Sequence, residues 1–434
     1  MASVARYALG AAALLVVVGG MAVASVGLRR RWLGDWTGAP ARLAEAVIGL
    51  ALLIAILEVL GAVGLFALGP IVIACGLAGV AGARDLTGTQ LARHRPAERA
   101  PRLLSTIAAL AGAAVLAEWG ALTIQSYDVG IRGFDSLWYH LPWAASFAQT
   151  GNITALRFTD VEYLTPFYPA TAEMLHGLGI VLLGRDTISP GLNLVWLGAT
   201  LLAAYCIGRP RGVGAAAAIG AALALGTTMM DYSQAGAAAN DVVAVFFLLA
   251  AVALLATEPE RPAARVLAAI AAGLAVGTKL TVVAAVFALT IGVIAIAPRG
   301  KRAGTAGLWL GPLIVAGGFW YARNLIAVGN PLPWTSVGGL LPTPAAPLQQ
   351  HTGYSVAHYL TAAHFWSRFA QPALAAGIGR WWWAVLAVAI VGPILCVLPG
   401  GQLGRNCRYT GETSRAPLGQ WRYASPTSTR KSSS

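Results

Sequence analysis

The chain has 434 residues, of which 57% are hydrophobic and 11% charged, with a formal net charge of +13. Soluble domains carry about 25% charged residues, so this composition excludes a water-soluble enzyme, a disordered chain and a disulfide-stapled secreted domain. It predicts an all-α polytopic membrane protein whose cations gather in loops on one side of a bilayer, with no nucleic-acid partner.

Eleven apolar stretches are candidate spans: 7–28, 43–61, 63–83, 103–123, 190–208, 213–230, 242–257, 266–278, 280–297, 304–320 and 381–398. The run 43–83 is split at Gly61-Ala62, and the run 266–297 is interrupted by Gly277-Thr278-Lys279. Residues 22–25 look like a signal-peptidase site, but cleavage there would export Arg29, Arg30 and Arg31 and invert every later loop. The first stretch is therefore kept as a span.

Orientation follows the basic residues. With the N-terminus outside and the C-terminus cytoplasmic, segments 29–42, 84–102, 209–212, 258–265, 298–303 and the tail from 399 lie inside and hold 22 of the 30 Lys and Arg. Three of the 30 are lysines (Lys279, Lys301, Lys431), an arginine bias that, with the abundant Ala and Gly, looks like a GC-rich bacterial genome; the expected location is the plasma membrane. The large segments 124–189 and 321–380 then face outward.

Segment 124–189 is rich in ionisable groups. Its run from Phe134 to Ala148 opens with Asp135 and continues as an aromatic, amphipathic helix suited to the membrane interface. Asp135 falls at the helix N-terminus, where a carboxylate is favoured as a cap or as a reactive group. A second short apolar helix over 163–184 is predicted to lie along or dip into the outer leaflet. Trp381-Trp382-Trp383 reads as an interfacial belt.

Four cysteines (Cys75, Cys206, Cys396, Cys407) lack metal-ligand spacing. His351, His358 and His364 stand seven and six residues apart, not at the spacing of a helical metal pair. No metal and no cofactor are expected. From Gly400 the chain becomes rich in Arg, Ser, Thr and Gly, which reads as a disordered cytoplasmic tail or a frameshifted end. The expected organisation is three accessory N-terminal spans over 1–102, a core over 103–335, a second outer segment and last span over 336–399, and the tail over 400–434.

Several blocks, in order, carry a family likeness. They are Phe134-Asp135-Ser136-Leu137-Trp138-Tyr139-His140-Leu141-Pro142, Phe167-Tyr168-Pro169, Leu183-Gly184-Arg185-Asp186, and a span ending in Tyr205-Cys206-Ile207-Gly208-Arg209. Asp231 to Asn240-Asp241, Gly273 to Lys279, and Trp320-Tyr321-Ala322-Arg323-Asn324 with Gly329-Asn330-Pro331 complete the set. Over 103–335 the chain resembles the GT-C superfamily of integral-membrane glycosyltransferases, in the protein O-mannosyltransferase and aminoarabinose lipid A transferase branch. It departs in its three extra N-terminal spans, its lone first-loop acid and the lack of the usual C-terminal half.

The resemblance implies a GT-C-like core that transfers a sugar, with inversion, from a polyprenyl-phosphate donor to a lipid, glycan or protein acceptor in the envelope. Such a reaction needs a carboxylate to take the acceptor proton and cations to stabilise the leaving phosphate. By resemblance Asp135 is the catalytic carboxylate and Asp241 the second acid; Asp231 and Asn240 stand behind them. Asp160 and Glu162 are candidates to orient the acceptor. Lys279, isolated in an apolar run, and Arg323, with a planar donor fork, are candidates for the phosphate. Arg132 and His140 lie near Asp135 and are further substrate-binding candidates. A transporter or flippase of a lipid-linked intermediate, and a truncated inactive GT-C-like protein, remain alternatives.

Overall fold

The computed structural model describes residues 4–86, 101–159, 165–335, 340–341 and 356–397. They fall in two compact units that meet in sequence between Phe369 and Ala370. Among the described residues every regular element is a helix. The first unit contains α1 (Val4–Trp32), α2 (Ala39–Ala62), α3 (Leu68–Arg84), α4 (Arg102–Val129) and α5 (Leu141–Thr150). It continues with α6 (Thr171–Leu183), α7 (Ser189–Gly208), α8 (Gly214–Leu225), α9 (Thr228–Gln234), α10 (Asp241–Thr257) and α11 (Pro262–Thr278). Then follow α12 (Val283–Ile296), α13 (Arg302–Gly317), α14 (Phe319–Val328) and the short α15 (Val356–Thr361) and α16 (Ala363–Phe365). The second unit holds α17 (Gln371–Gly377) and α18 (Trp382–Val397). Within it Arg380 lies over the Trp381 ring, 5.3 Å from the centroid.

Each of the eleven apolar stretches forms helix. By length and composition α1, α2, α4 and α7 qualify as membrane spans, and seven spans result if each of three bent pairs counts as one. The chain is thus a multi-pass membrane protein with four to seven candidate spans, fewer than the eleven expected. The reason is length. Helices α3, α10 and α11 have 17 residues each and α12 has 14, whereas crossing about 30 Å of hydrocarbon takes about 20. Helices α8 and α9 meet at a 69° bend, and α13 and α14 at 64°.

Helix α10 occupies the centre. Its residues are apolar all round, as expected of a helix without a solvent face, and Val242, Phe246, Phe247, Ala250 and Leu254 are fully enclosed. Helices α7, α11 and α2 pack around it. Trp196 of α7 meets Phe246 and Phe247 at 5.6 and 5.8 Å. On the periphery, α12 buries only Val286, and α4 only Val115, Trp119 and Thr123. Their remaining apolar surface suits lipid tails.

Several helix pairs touch backbone to backbone through glycine. A Cβ at Gly27 of α1 would lie 2.3 Å from the Gly82 carbonyl oxygen of α3. One at Gly273 of α11 would lie 2.3 Å from the Leu313 carbonyl oxygen of α13. Without a hydrophobic drive between helices in lipid, such close approach supplies the packing energy.

The two ends of the α10–α11 pair differ in chemistry. At one end Arg261 pairs with Asp35 at 2.5 Å and with Glu258 at 3.2 Å, while Trp36 donates to Glu258 at 2.8 Å. Arg29 and Arg42 close on Glu45 beside them in sequence, at 2.9 and 2.6 Å. These ties join segments 29–42 and 258–265, both read as inner from their basic residues. The antiparallel course of α10 and α11 brings Asp241 and Thr278 together at the opposite end.

Substitution Gly273→Val forces the α11 and α13 backbones apart and is expected to cost about 1–3 kcal/mol, the range for overpacking. Gly220→Ala, which faces open space, is expected to leave stability unchanged or slightly raised. Thermal unfolding of the purified protein in detergent distinguishes the two.

Candidate active site

Five segments converge at the Asp241 end of the bundle. The first is the turn after α4. It does not run straight into α5 but passes through a π-helical turn, Ser136–His140. π turns inside helices concentrate at functional sites because they redirect side chains. Asp135 stands at the N-terminal edge of this turn with helical backbone angles, and its side chain makes no capping hydrogen bond. The carboxylate is exposed.

The turn is pinned from three sides. Ser136 Oγ accepts the Ala238 N–H at 3.0 Å. Asn193, inside α7, donates to the carbonyls of Gln234, Ala237 and Ala239 at 2.8, 3.2 and 3.2 Å, and so holds the α9–α10 loop against the turn. Gly236 in that loop has φ 66°, and any Cβ there would sit 2.4 Å from Ser126 Oγ. Only glycine fits. Third, His140 Nδ1 hydrogen-bonds Glu173 Oε1 of α6, and the same oxygen accepts from Asn240 Nδ2 at 3.2 Å. Asn240 Nδ2 also reaches the Thr278 carbonyl at 3.3 Å. His140, Glu173 and Asn240 are buried, as is His176 beside them.

Asp241 opens α10, where the helix dipole favours its charge. Its Oδ1 pairs with Lys279 Nζ at 2.5 Å and its Oδ2 accepts from Gln234 Nε2 at 2.9 Å. Lys279 caps the C-terminus of α11 with extended backbone, the end at which the dipole favours a cation. The pair therefore bridges two adjacent helix ends of opposite polarity. Its side chains are 45% and 22% exposed.

Lys279 lines a cavity of about 300 Å³ together with Tyr139, Tyr168, Asn240, Thr278 and Trp334, at the small end of the range for ligand sites. Burial pushes the Tyr139 phenol far above its ordinary value, with further pushes from the charges of Asp135, Glu173 and Asp241. Burial and then Asp135 raise Tyr168 as well. Both phenols thus keep their protons as hydrogen-bond donors, and Asp135 acts on both.

The remaining sequence candidates are placed differently. Arg323 of α14 is buried over the Trp320 ring, at 4.9 Å, and donates to the carbonyl of Pro166 and to Asn324 Oδ1, at 2.7 and 2.9 Å. Asn324 Nδ2 holds the Phe167 carbonyl at 2.8 Å. These two residues fix the backbone that carries Tyr168. Arg132 lines a separate cavity of about 360 Å³ with Ser126, Asp231 and Tyr232. His140 is enclosed behind Tyr139, the rings 4.0 Å apart. Asp160, Glu162, His351 and the tail from Gly400 lie outside the described residues. Among the described residues no group of three His, Cys, Asp or Glu is arranged to hold a metal ion.

Sequence reasoning had not singled out Tyr139, Trp334, Asn193 or Glu173. Asn193, polar within an apolar span, and Glu173, among the acids of segment 124–189, were the visible signals among them.

Comparison with protein-family models, with curated proteins and with solved structures gives no match.

Substitution Glu173→Ala strips buried His140 and Asn240 of their common acceptor and is expected to cost about 1–3 kcal/mol. Lys279→Ala breaks a half-exposed pair and is expected to cost less than about 1 kcal/mol. Equilibrium or thermal unfolding in detergent orders the two.

Proposed function

We propose that the protein is an exoplasmic membrane glycosyltransferase with a GT-C-like core, which transfers a sugar from a polyprenyl phosphate to an envelope acceptor. The reading carries with it the eleven-span arrangement with the N-terminus outside and the C-terminus cytoplasmic. The observation that supports it is a cavity lined by Lys279, with Asp241 paired to that lysine and with Asp135 at the edge of the π turn that brings Tyr139 to the cavity wall, at the end of the bundle opposite Arg261. Broken or short helices around a core cavity are tolerated in membranes where their backbone is enclosed by protein.

In this reading the sugar's anomeric carbon lies at the cavity mouth. Asp135 takes the proton of the acceptor hydroxyl as that oxygen attacks. The new carbon–oxygen bond forms on the face opposite the phosphate, the old one breaks, and the electron pair leaves on the lipid phosphate. The configuration inverts. Lys279 supplies the charge that stabilises the leaving phosphate, and Asp241 holds the lysine in place before the lipid arrives. The Tyr139 and Tyr168 hydroxyls offer neutral donors to sugar or phosphate oxygens.

A second reading, a transporter or flippase of a lipid-linked intermediate, draws support from the sharp bends between α8 and α9 and between α13 and α14. Discontinuous helices around a midplane site are a transporter trait. Asp241 and the π turn that follows Asp135 stand at one end of the bundle and not at its middle, which favours transfer.

Membranes carrying the protein are expected to transfer radiolabelled sugar from polyprenyl phosphate to an endogenous acceptor. Asp135→Asn is expected to lower the rate about 10²–10⁴-fold, the usual weight of a general base. Undiminished transfer by Asp135→Asn sinks the assignment, and lipid translocation without transfer favours the second reading.

A further inference from the structure

Trp334 takes no part in the transfer step, yet its ring forms a wall of the same cavity. The indole lies near-parallel to the Tyr168 ring, with centroids 5.6 Å apart and planes at 28°. Tyr168 in turn meets Tyr139 edge-on at 6.1 Å. Three aromatic rings thus run side by side along the cavity that holds Lys279.

The indole is held in place. Asn330, fully buried, accepts the Leu332 N–H at 2.8 Å and donates to the Thr335 carbonyl at 2.8 Å, gripping the chain on both sides of Trp334. Helix α14 therefore positions both rings: Arg323 and Asn324 fix the strand of chain before Tyr168, and the Asn330 turn that follows the helix fixes Trp334. Yet Trp334 Nε1 is buried with no hydrogen-bond acceptor. A buried indole N–H normally finds a partner, and leaving one unpaired is costly. A rigid aromatic pair with one spare donor, next to a lysine, matches a ligand with an apolar face, hydroxyl groups and a phosphate.

We propose that Trp334 and Tyr168 form the sugar-recognition subsite of this cavity. A neutral monosaccharide ring lays its C–H face against the aromatic pair, one ring hydroxyl accepts from Trp334 Nε1, and Lys279 takes the phosphate. Asp135 stands at the start of the π turn that carries Tyr139, and a carboxylate so placed disfavours an acidic sugar beside that ring. The inference rests on the glycosyltransferase reading and adds to it the residues that distinguish a sugar-bearing lipid from the bare carrier.

The test is equilibrium binding to the full-length protein in nanodiscs. The probes are radiolabelled polyprenyl phosphate, bare or carrying mannose, glucose, galactose or arabinose. The wild type is expected to bind at least one glycosylated lipid about tenfold more tightly than the bare lipid. Trp334→Leu is expected to erase that preference while bare-lipid affinity stays within about twofold. Trp334→Phe, which keeps a ring and loses the donor, is expected to retain part of it, and Lys279→Ala is expected to weaken every probe. Full preference in both Trp334 variants overturns the subsite and leaves the glycosyltransferase reading standing. Equal binding of bare and glycosylated lipids by the wild type also overturns the subsite. Failure of the wild type to bind any polyprenyl phosphate overturns both.

Discussion

One buried carboxylate ties the candidate site together. Glu173 is fully enclosed and accepts hydrogen bonds from His140 and Asn240. His140 ends the π turn that starts beside Asp135. Asn240 immediately precedes Asp241 and also binds the carbonyl of Thr278, the residue before Lys279. Three segments far apart in sequence, each bearing one candidate reactive group, are thus referred to a single side chain of α6. A charge-bearing group taken out of solvent is tolerated only with partners in good geometry. That requirement fixes the relative positions of the segments more tightly than apolar packing alone could.

The rest of the bundle can be understood as support for that arrangement. Helix α10, apolar on all sides, has no surface to present and so sits in the middle. Its partner α11 is built largely of alanine and glycine, which lets α13 approach to backbone contact at Gly273. Because α10 and α11 run antiparallel, their far ends collect Glu258 and Arg261 while their near ends collect Asp241 and Lys279. The helices that form the cavity are short, and the chain beyond α11 turns through a 3-10 segment, Leu280–Val282, before α12. Short, interrupted helices leave space for a cavity where continuous spans would close it. Such irregular backbone is affordable inside a membrane protein only where protein or a wet cavity surrounds it.

Much of this could be read from the sequence. The helical class followed from composition, and the break after Gly61-Ala62 falls where α2 ends. The interruption at Gly277-Thr278-Lys279 marks the end of α11, and the short helix after Pro169 is α6. Asp241 and Lys279 were chosen separately and form an ion pair, and Lys279 lines the cavity. What the sequence hid were relations between distant residues. Glu173 stood in plain view among the acids of segment 124–189, but its role depends on partners 33 and 67 residues away. Arg323 carries the donor fork that suits a phosphate, yet its Nε and Nη2 donate to Asn324 Oδ1 and to the Pro166 carbonyl, a fate no local pattern reveals. Arg132, three residues from Asp135, faces a different cavity because the chain turns between them. Hydropathy registers apolar runs without registering where the helices they form stop, so four to seven of the expected spans reach the length of a membrane crossing by themselves.

In the proposed orientation the Asp241 end of α10 and α11 opens on the exoplasmic side and the Arg261 end on the cytoplasmic side. Single cysteines placed at Asp135, Tyr232 and Asp35, in a background with the four native cysteines replaced, report this directly through a membrane-impermeant maleimide applied to intact spheroplasts. The account predicts labelling at positions 135 and 232 without permeabilisation and at 35 only after it. Labelling of position 35 from outside, with 135 and 232 protected until the membrane is opened, would contradict it.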